Sequence, residues 1–281
     1  DARRQRQMCI RDSDLAVGAY LYDGILKDFG AVFILFMNAD GTVANHNIIS
    51  DATFTVDETT KKDRFGTAVV SPGDINGNGI RDIVVGAPND DVIGGGDRGA
   101  IYVLFMNTDG TVVSYQKVGM STQTIGLGGF TGTLKNKDWF GFSLAEAGDI
   151  NKDGIPEVIV GAPLDDDGVG GDLGAFYILF FNSDGTVNFY NKISREFGGF
   201  KGGLDTKDYM GSSLVFLDDL DGNCQPAIFA GAYGDDADTG PLAGKKDIGG
   251  GWVIYLDDFN DVEKIPGTTN ELSEYRPLAI P

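Results

Sequence analysis

The chain has 281 residues, of which 42% are hydrophobic, so it is long enough for a packed core in one or two domains and too apolar for a disordered chain. A net charge of −20, from 42 acidic and 22 basic side chains, excludes nucleic acids and anionic lipid surfaces as natural partners. The longest apolar run, 174–181, is far shorter than the roughly 20 residues of a membrane-spanning helix. The chain itself is therefore not expected to be a transmembrane segment.

The first 13 residues differ from the rest, because they hold Arg3, Arg4, Arg6 and Arg11, four of the nine arginines of the chain. We interpret 1–13 as a cloning or sequencing artefact, with a disordered basic arm as the alternative, and exclude the segment from fold reasoning. Re-sequencing the source DNA across this junction would decide between the two. If 1–13 is foreign, the lack of a signal peptide in this chain carries no information about secretion.

From residue 14 onward, the chain repeats itself. Gly-Asp-Ile-Asn at 73–76 returns at 148–151, and Val-Gly-Ala-Pro at 85–88 returns at 160–163, in both cases 75 residues later. A third block of the form Gly-Ala-x-x-x-Leu-Phe recurs in three units, and a decayed copy follows. These matches define the unit boundaries, which are 14–50 for a partial unit and 63–118, 138–193 and 208–266 for three complete ones.

Each complete unit contains four short strand patterns. The first strand follows the Phe-Gly pair, and the second precedes Gly-Ala-Pro. The third follows the next Gly-Ala, and the fourth follows Asp-Gly. The Asn-x-Asp-Gly sequences at 107–110 and 182–185 supply the residues of positive φ that tight hairpins require. No segment has the period of 3.6 that is typical of a helix. Repeated units of four antiparallel strands predict an all-β fold, a β-propeller.

The Phe-Gly opening, the aspartate-rich loop and the Gly-Ala-Pro ending resemble the FG-GAP repeat of the integrin α-chain N-terminal propeller. The resemblance covers 14–266 and implies a seven-bladed ring. About three complete blades and one truncated blade would then be a fragment of a larger ring, which needs the remaining blades or domains of a full-length protein. A closed ring of four blades is the alternative.

Two nine-residue loops, 74–82 and 149–157, carry oxygen side chains at positions one, three, five and nine, and a glycine at position six. Alternate spacing directs oxygen ligands around one hard cation, and a carbonyl at position seven adds another, so the loops predict Ca²⁺ sites. The second loop has three carboxylates against two, so we expect it to bind more tightly. The predicted ligands are Asp74, Asn76, Asn78, Ile80 and Asp82 in the first loop, and Asp149, Asn151, Asp153, Ile155 and Glu157 in the second.

A third loop, 219–227, departs from this pattern. It offers Asp219, Asp221 and Asn223, but Cys224 replaces the glycine at position six and Ala227 supplies no oxygen at position nine. We expect it to be a weak site. The alternative for all these loops is a set of Asx turns that bind no ion.

A second acidic set follows each Gly-Ala-Pro or its equivalent, at 89–91, 165–167 and 235–238. These residues are candidates for binding a cation or a basic ligand, but solvated turns are the favoured interpretation. The aromatic residues of the repeat are predicted to pack between blades. No acid–base pair, nucleophile constellation or phosphate loop is readable, so the chain is predicted not to be an enzyme.

These observations predict a non-enzymatic, calcium-binding scaffold of an extracellular or cell-surface protein, with a role in cell adhesion or in binding a protein or glycan ligand. The step to adhesion is implied by the resemblance alone. The alternatives are an accessory propeller of a secreted hydrolase, such as a phospholipase-like enzyme, and a spacer that binds no ligand. The polar stretch 267–281 is interpreted as a linker or as the start of another unit.

Overall fold

The computed structural model describes residues 14–54, 62–91, 96–120, 126–167, 171–200, 202–217, 219–220, 222, 226–236, 246, 248–256 and 274–276. The segment 1–13, the weak ligand candidates Asp221 and Asn223, and most of 267–281 lie outside these ranges. The described residues form sixteen β-strands and a single 3₁₀ turn, Asp51–Thr53. The all-β prediction is confirmed.

The strands form four antiparallel sheets that follow one another along the chain. The first sheet has three strands, β1 (Leu15–Ala19), β2 (Ala31–Met37) and β3 (Val43–Ser50). The second has β4 (Ala68–Gly73), β5 (Asp82–Ala87), β6 (Ala100–Met106), β7 (Val112–Met120) and β8 (Gly126–Leu127). The third has β9 (Leu144–Gly148), β10 (Glu157–Ala162), β11 (Ala175–Phe181) and β12 (Val187–Ser194). The fourth has β13 (Met210–Leu217), β14 (Ala227–Ala232), β15 (Gly250–Tyr255) and β16 (Glu274–Arg276).

Consecutive sheets pack face to face through their first strands. Strand β1 contacts β4, β4 contacts β9, and β9 and β10 contact β13. Each interface encloses a separate apolar core, so the central strands β5, β6, β10 and β11 are buried along their whole length. This succession of antiparallel sheets is a partial β-propeller of one three-stranded blade and three larger ones, as the sequence predicts.

Glycines of the repeat allow the blades to approach each other. A Cβ on Gly86 would lie 1.9 Å from the carbonyl oxygen of Gly141 in the next blade, and a Cβ on Gly161 would lie 2.1 Å from that of Gly211. Only glycine fits such a contact between backbones. The glycine of the Gly-Ala pair in one blade thus contacts the glycine of the Phe-Gly pair, or its equivalent, in the next blade.

The aromatic residues of the Phe-Gly motif pack between blades, as predicted. Phe65 and Phe140 are fully buried, and Phe65 lies edge-on to Tyr102 with ring centroids 5.3 Å apart. Phe140 makes the equivalent contact with Tyr177 at 5.4 Å. Phe65 also stacks on Phe29 of the first blade with ring centroids 5.8 Å apart, so it contributes to the packing between blades.

Candidate functional site

The first candidate loop, 74–82, connects β4 to β5 and is held by hydrogen bonds to its own side chains. Asp74 Oδ1 accepts from the amides of Gly77 and Asn78 at 2.8 and 3.0 Å, and Asp74 Oδ2 accepts from Gly79 at 2.6 Å. Asn76 and Asn78 each accept from the amide two residues on. The φ angle of Gly79 is +85°, so position six makes the sharp turn for which glycine is expected there.

Asp82, at position nine of this loop, joins the loop to the sheet. Its Oδ2 accepts from the amide of Ile75 at 2.9 Å, and its Oδ1 accepts from the amide of Met106 in β6 at 3.1 Å. The side chain is fully buried, and burial raises the pKa of Asp82. In the first blade, Asp14 Oδ1 accepts from the amide of Met37 at 3.0 Å, so Asp14 is bound to β2 as Asp82 is bound to β6.

The second candidate loop, 149–157, repeats the geometry of the first between β9 and β10. Asp149 accepts from the amides of Asp153 and Gly154, both at 3.0 Å, and Asp153 Oδ1 accepts from the amide of Ile155 at 2.8 Å. Asn151 Nδ2 donates to Asp153 Oδ2 at 3.0 Å. The two loops therefore share one backbone trace, as their shared spacing predicts.

Glu157 distinguishes the second loop from the first. Its Oε2 accepts from the amide of Ile150 at 2.6 Å, whereas its Oε1 is buried and has no hydrogen-bond partner. Oxygens of Asp149, Asp153 and Glu157 lie within 4.8 Å of one another. Burial, and then the charges of Asp153 and Asp149, raise the pKa of Glu157 to about 8. Three converging carboxylates with one unpartnered oxygen fit a hard cation such as Ca²⁺.

In the third loop, the structure describes Asp219 but not Asp221 or Asn223. Asp219 Oδ1 accepts from the amide of Gly222 at 2.7 Å, as Asp74 does from Gly77 in the first loop. The start of the third loop is therefore similar to that of the others.

The acidic residues that follow Gly-Ala-Pro belong to a buried network in the second blade. Asp90 Oδ2 accepts from the hydroxyl of Tyr102 at 3.0 Å and lies 2.6 Å from Lys117 Nζ. Asp63, from the Asp-x-Phe-Gly turn, is fully buried beside this group. Burial and the charge of Asp90 raise the pKa of Asp63 to about 8.

The third blade repeats this network. Asp165 accepts from the hydroxyl of Tyr177 at 3.0 Å and from Lys192 Nζ at 2.9 Å, and Lys192 also lies 2.7 Å from Asp167. Asp138 is 2% exposed, and burial together with the charge of Asp165 raises its pKa to about 8.

The interpretation of the second acidic set as solvated turns is therefore wrong for Asp90 and Asp165, which are 0% and 3% exposed. A tyrosine and a lysine from the next two strands bind each carboxylate, and they satisfy both oxygens of Asp165 but only the Oδ2 of Asp90. A signal was present in the sequence, since Tyr102 and Tyr177 have Lys117 and Lys192 fifteen residues later in both units.

A protein-family model described as FG-GAP repeat matches residues 65–104 and 140–179. Each matched range runs from the Phe-Gly pair through the candidate loop and the Gly-Ala-Pro segment. The chain contains FG-GAP repeats. The matched ranges contain both candidate cation loops, so these loops are part of the repeat itself.

The chain is also similar to integrin α-chains. The chain is 30% identical to integrin alpha-3 of Cricetulus griseus over 213 residues, 74% of this chain and 17% of that protein. It is 31% identical to integrin alpha-4 of Xenopus laevis over 208 residues, and 32% identical to integrin alpha-6 of Homo sapiens over 171 residues. The chain thus spans less than a fifth of the length of these relatives.

Among the residues that the structure describes, no helix combines the length and hydrophobicity required to cross a membrane.

Proposed function

We propose that this FG-GAP chain is a calcium-stabilised, non-enzymatic propeller scaffold of an extracellular or cell-surface protein. The observation that carries the proposal is the unpartnered, buried Oε1 of Glu157 beside Asp149 and Asp153. Asx turns explain the hydrogen bonds within the loop, but they leave this oxygen without a partner and three carboxyl groups within 4.8 Å of one another. A bound Ca²⁺ compensates both.

The ion would act on stability rather than on chemistry. Asp149, Asn151, Asp153 and Glu157, with the carbonyl of Ile155, would hold it in the second loop, and Asp74, Asn76, Asn78, Ile80 and Asp82 in the first. Each loop joins the first two strands of a blade, so the ion would fix the edge that packs on the neighbouring blade. A site with a Kd of ~0.1 mM in ~1 mM free calcium adds about 1.4 kcal/mol.

The repeat units 63–118, 138–193 and 208–266, with the partial unit 14–50, would form the scaffold. Its exposed loops would bind a protein or glycan ligand, because the chain is similar to integrin α-chains and its resemblance to their propeller implies an adhesion role. A net charge of −20 favours a ligand with a basic surface.

The test is thermal unfolding of the chain with millimolar Ca²⁺ and with EDTA, at constant ionic strength. We expect calcium to raise the Tm of the parent protein. The double substitution Asp149→Ala and Asp153→Ala should remove most of that rise, because it leaves Glu157 without the other two carboxylates. Calcium titration by calorimetry should show the loss of the tighter class of site.

A matched control is Asp184→Asn, in the exposed hairpin between β11 and β12 of the same blade. Its carboxylate bonds Thr186 within the turn and lies outside the candidate loop. The calcium response should be unchanged in this variant. A parent Tm that is indifferent to calcium would overturn the proposal and leave the loops as Asx turns.

A further inference from the structure

Four oxygen atoms in the second blade are buried and have no hydrogen-bond partner. They are both carboxylate oxygens of Asp63, the side-chain oxygen of Asn89 and the Oδ1 of Asp90. They come from two different turns, the one before the Phe-Gly pair and the one after β5. The amide of Asn89 donates to the carbonyl oxygen of Asp63 at 3.2 Å, so the two turns are joined. Buried oxygens without a hydrogen bond are unusual and indicate a missing partner, which can be a proton, a water molecule or an ion.

The charges of this group do not balance. Lys117 lies 2.6 Å from Asp90 Oδ2 and is the cation that faces Asp63, whereas Asp90, Asp91 and Asp97 all act on Asp63 as negative charges. Asp63 and Asp90 are both fully buried. When both carboxylates are ionised, they leave a net charge of −1 against the one ammonium, and a buried charge without a counter-ion is costly. Burial and the charge of Asp90 accordingly raise the pKa of Asp63 to about 8, so the group takes up either a proton or another monovalent cation.

We propose that a dehydrated monovalent cation of the Na⁺ class binds between Asp63, Asn89 and Asp90. One positive charge neutralises the group, whereas a divalent ion beside Lys117 would leave it positive. Mg²⁺ is further disfavoured because it dehydrates reluctantly and the four oxygens are closed to solvent. This site is separate from the two candidate calcium loops.

The third blade differs from the second at each of these groups. Leu164 stands where the second blade has Asn89, so the neutral oxygen is missing. Asp138 Oδ2 accepts from the amide of Lys135 at 2.7 Å, and Lys192 bonds Asp165 and Asp167. The equivalent carboxylates are thus held by protein groups.

In the first blade, all three members of the network are replaced together. The pairing registers place Phe33 and Ile48 at the positions of Tyr102 and Lys117. Tyr22 stands in the place of Asp90, because its amide bonds Ala19 as that of Asp90 bonds Ala87. The rings of Tyr22 and Phe33 meet edge-on at 5.8 Å. The joint replacement indicates that carboxylate, hydroxyl and ammonium act together.

The experiment measures the Tm of the full chain in NaCl and in choline chloride at equal ionic strength, with Ca²⁺ saturating in both. Choline is too large for a closed site, so only the bound cation differs. We expect the Tm to be about 2–4 °C higher in sodium, the shift that applies when sodium is at roughly ten times its Kd. Broadening of the ²³Na resonance by the protein should accompany it.

Asp63→Asn removes the excess charge, and Asn89→Leu copies the third blade, so both variants should lose the sodium effect. Asp138→Asn, the matched control in the third blade, should retain it. Equal Tm values in sodium and choline for the parent would overturn the proposal, since a proton or water would then satisfy Asp63. Equal loss in the Asp138 variant would also overturn it. If the Asp63 variant does not fold, the Asn89 variant and the ²³Na signal still test whether sodium binds at this site.

Discussion

Lys152 strains the backbone of the second candidate loop. Its φ angle is +60°, in the left-handed region, at the position where the first loop has Gly77 at +76°. This conformation costs a residue with a Cβ about 1–2 kcal/mol. Its positive charge also lies one residue from the carboxylate of Asp153, a proposed ligand. The second loop is therefore strained where the first is not.

We predict that Lys152→Gly stabilises the chain by roughly 0.5–1 kcal/mol, because the relief of strain exceeds the entropic cost of glycine. Urea unfolding in EDTA measures this difference without bound calcium. Lys152→Ala is the control, since it removes the charge but keeps the strained backbone. If the alanine variant gains as much stability as the glycine variant, strain is not the cause.

Asp138 makes folding depend on pH in a direction opposite to that of a carboxylate whose pKa is lowered by folding. Its ordinary pKa is 3.8 and its folded value is about 8, because burial and Asp165 disfavour the charged form. Between these values, the folded protein keeps a proton that the unfolded chain has lost. The contribution of Asp138 to stability therefore falls as the pH rises from about 4 to about 8.

Asp138→Asn should flatten this decline by up to about 1.4 kcal/mol per pH unit, while its amide oxygen still accepts from Lys135. Urea unfolding at several pH values from 5 to 8, in chelator and constant NaCl, measures the slope. Asp184→Asn is the control, because a hydrogen bond from Thr186 lowers the pKa of Asp184 and places its titration below this range. Parallel slopes for the parent and Asp138→Asn would contradict the assignment.

The contact between the Phe-Gly turn of one blade and the Gly-Ala strand of the preceding blade sets the spacing of the sheets. Gly86 lies on the fully buried strand β5, and a Cβ there would meet the carbonyl oxygen of Gly141 at 1.9 Å. We predict that Gly86→Ala destabilises the chain by roughly 3 kcal/mol, because neither backbone can yield. Thermal or urea unfolding measures the loss.

Gly96→Ala is a suitable comparison for this prediction. A Cβ at Gly96 would have its nearest neighbour, Asn136, at 3.9 Å, which is an ordinary contact. Its effect should stay within about 0.5 kcal/mol. Similar losses in the two variants would mean that glycine flexibility, and not the blade–blade contact, determines the result.

The strands that the sequence predicts well are those that carry the repeated motifs. Strands β5 and β10 lie where Asp-Ile-Val-Val-Gly-Ala and Glu-Val-Ile-Val-Gly-Ala place them. Strands β8 and β16 have two and three residues and no alternating pattern, so pairing with a neighbouring strand alone defines them.

The spacing of ligand residues in the sequence predicts the two candidate loops. It does not predict that the residues at their ninth positions, Asp82 and Glu157, have different roles. Asp82 uses both oxygens on backbone amides, whereas Glu157 leaves one without a partner, and that difference depends on one methylene in a packed site. The buried network was missed for another reason. Asp63 and Lys117 are 54 residues apart in sequence, so the fold alone brings them together.

The burial of equivalent strands differs across the molecule. Strand β5 is buried at every residue, whereas β1, its counterpart in the first blade, is exposed from Leu15 to Gly18. Among the residues that the structure describes, β1 pairs with β2 alone. Leu15 and Val17, two residues apart on one face, are 49% and 44% exposed. Exposed apolar side chains arranged in this way promote association.

We predict that the chain self-associates through this face as its concentration rises. Sedimentation velocity at about 0.15 M salt is the measurement, because the Debye length of about 8 Å then screens the repulsion between molecules. Leu15→Ser with Val17→Ser should weaken association more than tenfold, since burying each side chain contributes about 1.5–3 kcal/mol. Val113→Ser is the control, at a 67% exposed position of strand β7. A chain that stays monomeric at every concentration, or a control that weakens association equally, would show that β1 is not the contact.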